Sequence, residues 1–222
     1  QVKIIGGHGG VTKNYNATSY LIDDSLLIDA GSVASGLDID DQLKIDHILI
    51  SHAHLDHTKD LAFICDNCFG LKDKPFEVYT HKTVHKAIKD HLFNETIWPD
   101  FSLLPTKEKP TMRFNNIESE KVLTLGEYKV RPVYVKHPGD AMGFIIEKDD
   151  KAIVFTQDTG STDRIWEVAK EYKNLTAIFT EVSFPNKLQN IADLSDHHTP
   201  QSMRKELEKM PLEVPIYLGH LK

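Results

Sequence analysis

Cysteine is scarce in this chain of 222 residues: there are two, Cys65 and Cys68, both in the stretch CDNC. A lone CxxC can be half of a zinc knuckle or a redox pair, but no second CxxC and no thioredoxin-like context accompanies it, so both residues read as free thiols. Long apolar runs are missing too, none approaching the ~20 residues that a membrane-crossing helix needs. Positive charge is in deficit, with 26 Lys and Arg against 33 Asp and Glu and a net charge of −7. Such a balance argues against a chain that grips nucleic acid through its phosphates, although a local basic patch can sit within an acidic average. There is no internal repeat at a short period, no low-complexity tract and no Gly/Ser linker, so one domain over residues 1–222 is the simplest expectation. The opening QVKIIGG holds no basic, apolar leader, which sets the expected compartment as the cytoplasm, with a trimmed periplasmic or secreted form as the alternative. What is there, 40% hydrophobic and 27% charged residues, is the composition of an ordinary globular protein.

Short apolar runs bounded by Gly, Asp or Pro predict strands at 2–5, 19–22, 26–29, 47–50, 76–79, 121–125, 128–135, 143–147, 152–155, 176–180 and 214–218. Helical periodicity appears over 81–93, 163–171 and 200–209, the last opening with Pro200 just after Thr199. Strands early and late with helices between suggest an α/β layered fold. The segment from about 70 to 118 is Lys-rich, carries four prolines and has one strong helix, so it reads as an insertion over a core. His81 and His85 sit one turn apart on that helix, with His91 further along; more often such a pair is solvated than metal-bound. Phe93, Trp98 and Phe101 in the same segment either stack on a ligand or pin the segment to the core.

The stretch ILISHAHLDHTKD, Ile48 to Asp60, places three histidines and an aspartate within six residues after an aliphatic run. Crowded imidazoles and carboxylates gain little unless a cation organises them, so His52, His54, Asp56 and His57 are metal-ligand candidates as a set. Asp29 closes LLID and Asp158 closes VFTQD, both where a strand yields to a loop and both open to a turn-capping role. His137 after VYVK and His220 after VPIYLG repeat the pattern of strand, then histidine. Together these supply a grouping of His52, His54 and His137 on one cation and Asp56, His57 and His220 on a second, with Asp158 between them. Two adjacent metals ionise a water at neutral pH and stabilise charge on a phosphoryl or acyl oxygen, which points to hydrolysis. A general acid for the departing oxygen is available in His197 or His198 of SDHHTP, with Glu181 of FTEVSF to orient it.

His52-Ala53-His54-Leu55-Asp56-His57, followed in order by His137, Asp158 and His220, resembles the HxHxDH signature and later motifs of the metallo-β-lactamase superfamily. The resemblance covers essentially the whole chain and implies a four-layer αββα sandwich with a dinuclear metal site. The two divalent cations would be zinc, with manganese or iron as alternatives. Because this fold hosts many activities, finer stretches are needed. HLDH, HLFNETIWPDFS, and TEVSFPN with the later HHTP look like the class II cyclic-nucleotide phosphodiesterases. That likeness implies hydrolysis of 3′,5′-cyclic nucleotides to 5′-monophosphates, a small-molecule substrate without a nucleic-acid or membrane partner, and a homodimer. Glu181 with His197-His198-Thr199 is also similar to a pair in the tRNA 3′-processing endonucleases, which favours His197 as the acid and makes an RNA 3′-end nuclease the alternative activity. A third reading, a module that binds a cyclic nucleotide without turning it over, leaves seven ligands and an acid without a purpose.

Overall fold

Short aliphatic runs alternating with turn residues produce twelve strands among the described residues, six in each of two sheets. The computed structural model describes residues 1–210 and 213–222. They form two compact units, Gln1–Ile117 and Glu118–Lys222.

In the first unit β1 (Val2–Gly6), β2 (Ser19–Ile22), β3 (Leu26–Ile28), β4 (His47–Leu49), β5 (Phe76–His81) and β6 (Met112–Ile117) lie side by side in chain order. β1 to β3 form an antiparallel meander, and β3 to β6 run parallel. Parallel neighbours need crossover connections. These carry α1 (Val33–Gly36) and α2 (Ile39–Gln42), then α3 (Leu55–Thr58) and α4 (Asp60–Asn67), then α5 (Lys82–His91). Leu26, Leu27, Ile28, Ile48 and Leu49 are fully buried, as expected of parallel strands covered on both faces. α5 is amphipathic, and its Val84 and Ile88 join Phe76 and Val78 in the core of this unit.

The stretch expected as an insertion, about 70–118, supplies β5, α5 and β6 to the sheet itself. The pair Asn115-Asn116 within β6 hides that strand from a hydrophobic pattern. The longest irregular run of the stretch, residues 92–111, forms no helix or sheet strand, and its Phe93 and Phe101 are buried in the core cluster with Trp98 packed against it. The pinning role is thus the one these aromatics have. His81 caps α5 by accepting from the Thr83 amide at 3.4 Å, and His85 stacks on Phe114 with ring centroids 4.3 Å apart.

The second unit repeats the plan. β7 (Leu123–Leu125), β8 (Tyr128–Tyr134), β9 (Met142–Lys148) and β10 (Lys151–Phe155) are antiparallel, and β10, β11 (Leu175–Glu181) and β12 (Ile216–Gly219) are parallel. α6 (Arg164–Ala169) crosses from β10 to β11; α7 (Gln189–Leu194) and α8 (Pro200–Leu207) lie between β11 and β12. α8 starts where the sequence places it, because the Thr199 hydroxyl accepts the Ser202 amide while the Ser202 hydroxyl accepts the Thr199 amide. Trp166 is buried in this unit's core, and its indole N–H donates to the buried Glu206 at 2.7 Å. No helix among the described residues is long and apolar enough to cross a membrane.

Cys65 and Cys68 are free and buried at α4 and its C-terminal cap. Burial raises both thiols, that of Cys68 to about 11. The native protein is therefore expected to show no thiol reactive towards Ellman's reagent at pH 8, and two after denaturation. Rapid native labelling of either cysteine would contradict this packing.

Candidate metal centre and acid pair

Parallel strands present their working groups beyond their C-terminal ends, and the predicted site residues fall there in both units. In the first unit β3 leads into Asp29, and β4 leads through Ile50 and Ser51 to His52 and His54. His54 is the N-cap of α3, whose first turn carries Asp56 and His57. His52 and His57 are buried, and their ring centroids lie 4.2 Å apart.

The hydrogen bonds decide which nitrogens face outward. The Ser51 amide and hydroxyl both donate to the Asp29 carboxylate, at 2.8 Å each. Having given its proton to Asp29, the Ser51 hydroxyl accepts from His52 Nδ1 at 2.9 Å. His57 Nδ1 donates to Asp29 Oδ2 at 2.6 Å. Both rings thus keep their proton on Nδ1 and present Nε2 as a lone pair, the form a metal ligand requires. His52 Nε2 lies 3.0 Å from His54 Nδ1. Two nitrogens each about 2.1 Å from one cation and about a right angle apart would be separated by ~3.0 Å, so this pair fits a shared ion.

In the second unit His137 donates from Nδ1 to the Asp196 carbonyl at 3.1 Å, which leaves Nε2 directed to Asp158 Oδ2 at 3.9 Å. The other oxygen of Asp158 lies 2.9 Å from His220 Nδ1. One buried carboxylate therefore faces each histidine with a separate oxygen. Asp29, Gln157, Asp196 and His220 all take positive φ values, 56°, 55°, 51° and 57°. Left-handed backbone at a non-glycine residue costs of order 1–3 kcal/mol and persists where the surroundings over-determine it, so these values mark the loop turns that aim the ligands.

Glu181 is the last residue of β11 and is buried. Its Oε1 accepts from His197 Nδ1 at 2.8 Å and from the His198 amide at 3.3 Å. The His198 ring turns elsewhere, to the Ser202 hydroxyl at 3.1 Å, and burial lowers its pKa. Of the two candidate histidines, His197 is thus the one that Glu181 holds. Donor atoms of Glu181, His197 and His220 lie within 4.8 Å of one another, yet the direct Glu181–His197 contact is that of a hydrogen bond.

Asp29 was open to a turn-capping role from sequence, and the structure gives it the orientation of His57. Ser51 and Gly31 were not predicted at all. A Cβ on Gly31 would stand 2.0 Å from the Asp56 carbonyl and 2.7 Å from that of Thr18. Glycine there lets α3 dock against the loop after β3, where the Ala30 amide donates to the His57 carbonyl at 2.7 Å. The sequence signal for it was only the DAGS that follows LLI.

With the geometry described, comparisons with known proteins identify the class. A family model described as the β-lactamase superfamily domain matches residues 26–215. The chain belongs to the metallo-β-lactamase superfamily, and its two mixed sheets with flanking helices are the α/β fold of that family. With the clustered His and Asp donors, this makes it a metallo-hydrolase of that fold. The metallo-β-lactamase fold protein YhfI from Bacillus subtilis is 19% identical at a TM-score of 0.78, over 99% of this chain and 85% of that one. Unliganded yeast PDE1 is 15% identical at a TM-score of 0.85, over 100% and 87%. The short form of human tRNase Z is 16% identical at a TM-score of 0.71, over 99% and 92%. A search of curated proteins gave no match.

Replacing Gly31 by alanine is expected to destabilise the protein by about 3 kcal/mol, at the upper end of overpacking costs, and to lower bound metal measured by plasma mass spectrometry. Full metal content with unchanged thermal unfolding would disprove the close docking of α3.

Proposed function

We propose that the protein is a dinuclear metal-dependent phosphodiesterase that hydrolyses 3′,5′-cyclic nucleotides, cyclic AMP or cyclic GMP, to 5′-monophosphates. The observation that carries the reading is the Glu181–His197 pair: a buried carboxylate fixes an imidazole through Nδ1 in the same unit as Asp158, His137 and His220. Hydrolysis of an activated ester needs no such acid, whereas expelling a sugar alkoxide does. The resemblance of HLDH, IWPDFS and TEVSFPN to class II phosphodiesterases, and the likeness of fold to yeast PDE1, support the cyclic-nucleotide assignment. In this reading His52, His54, Asp56, His57, His137, Asp158 and His220 hold two divalent cations, zinc first and manganese or iron as alternatives. When bound, the cations supply a water ionised at neutral pH and Lewis-acid neutralisation of the phosphoryl oxygens.

The chain's own groups do the rest. His197 carries a proton at Nε2 and gives it to the 3′-oxygen as the bond from phosphorus to that oxygen breaks. Glu181 keeps the ring oriented through Nδ1. Asp29 and Ser51 hold His57 and His52 with Nε2 forward. A free small-molecule substrate, a homodimer, a cytoplasmic site of action and the absence of a nucleic-acid partner complete the proposal, the last supported by the net charge of −7. An RNA 3′-end nuclease is the second reading, favoured by the similarity of Glu181 and His197 to the pair in that group and by the likeness of fold to human tRNase Z.

Metal-loaded protein incubated with cyclic AMP and cyclic GMP is expected to release 5′-monophosphate, resolved by chromatography. Asp56→Ala should abolish the product, and His197→Ala should lower kcat by about 10²–10⁴-fold. Cleavage of precursor tRNA with both cyclic nucleotides intact would replace this assignment by the second reading.

A further inference from the structure

Ser183 is a buried residue in the loop that follows β11, two positions after Glu181. Its hydroxyl lies 2.7 Å from Glu181 Oε2, 3.1 Å from His197 Nδ1 and 3.3 Å from His220 Nδ1. Its backbone is fastened on two sides: its amide donates to the His198 carbonyl, and its carbonyl accepts from the Lys222 amide, each at 3.0 Å. The hydroxyl is therefore held at one point among three ionisable groups.

A serine hydroxyl has one proton and two lone pairs. A carboxylate has no proton to give, so across the shortest of the three contacts Ser183 donates to Glu181 Oε2. Its remaining contacts must then accept, from His197 Nδ1–H and from His220 Nδ1–H. The His197 proton is shared with a nearer carboxylate oxygen, Glu181 Oε1 at 2.8 Å. At His220 Nδ1 the Asp158 carboxylate stands 2.9 Å away without accepting a hydrogen bond at Oδ1, so the Ser183 hydroxyl is the acceptor there. Both imidazoles are driven to the same tautomer, with Nε2 forward. On His220 that nitrogen is the lone pair a cation needs; on His197 it is the site of proton transfer.

We infer that Ser183 is a positioning residue that sets the tautomer of the acid His197 and of the metal ligand His220 through one hydroxyl. The assignment of His197 as the acid rests on the function proposed above; the control of the two tautomers does not. Residues that orient metal ligands typically carry about 10–100-fold of affinity or activity, and Ser183 should lie in that range.

The test compares parent, Ser183→Ala and Ser183→Thr. Long-range proton–nitrogen correlation spectra of metal-free protein labelled with 15N-histidine, taken where the rings are neutral, should show His197 and His220 as Nδ1–H tautomers in the parent. Ser183→Ala should convert one or both rings to mixtures, and Ser183→Thr should restore the parent pattern. Ser183→Ala should also lower kcat for cyclic AMP about 10-fold more than for bis(p-nitrophenyl) phosphate, whose leaving group departs without an acid, while KM stays within about twofold. Parent rings protonated on Nε2, tautomers unchanged in Ser183→Ala, or equal losses on the two esters would overturn the inference. If the parent hydrolyses the chromogenic ester and no cyclic nucleotide, the proposed substrate class fails, and the tautomer comparison alone decides the role of Ser183.

Discussion

An imidazole has two nitrogens and, when neutral, one proton, so it can serve a cation only if something else takes that proton from the opposite side. Every predicted histidine ligand described above apart from His54 meets this condition through Nδ1. Ser51 receives that of His52, Asp29 that of His57, the Asp196 carbonyl that of His137, and the Ser183 hydroxyl that of His220. Asp29, Ser51 and Ser183 are as buried as the rings they hold, with Asp29 fully buried, while Asp196 is half-buried. Removing one member of a buried charged pair typically costs about 3–5 kcal/mol, because the other is left uncompensated. The shell around the ligands is thus part of the stability of each unit as well as of its chemistry.

The fold provides the shell by a simple device used twice. Each unit begins as an antiparallel meander and ends in parallel strands. A parallel arrangement collects several strand ends at one edge, and the loops leaving that edge are short and sharply turned. The positive φ at Asp29, Gln157 and His220 shows the backbone bent into uncommon conformations at those ends. Compensation comes from dense local hydrogen bonding: Asp29 accepts from Ser51 twice and from His57 once, and His220 precedes the Lys222 amide that bonds back to Ser183.

This fold hosts more than one activity. Unliganded yeast PDE1 and human tRNase Z share this chain's fold at 15% and 16% identity, so the sheets by themselves do not fix a substrate. In this chain the aromatics of the segment 92–111 are spent on packing, with Phe93 and Phe101 buried. Neither ring is exposed enough to stack on a ligand.

Much of this was legible in the sequence. The histidines and aspartates of His52 to His57, with His137, Asp158 and His220, stood out as candidates because metal chemistry uses few residue types and needs them crowded. The strands showed because aliphatic runs between turn residues have few other uses, and α8 showed because Thr199-Pro200 is a start signal in its own right. Other features did not show. β6 was hidden by polar asparagines that a sheet tolerates once neighbouring strands pair with them. Ser51, Ser183 and Gly31 are small residues of ordinary type whose importance lies only in what stands 2 to 3 Å away. The choice between His197 and His198 rested on resemblance until the structure showed which ring reaches Glu181. Sequence by itself determined which elements could bind and react, because that depends on residue chemistry. Which nitrogen of His57, His137, His197 and His220 faces forward, and which group holds it there, was decided by tertiary structure alone, because hydrogen bonds between residues 14 to 59 positions apart exist only after folding.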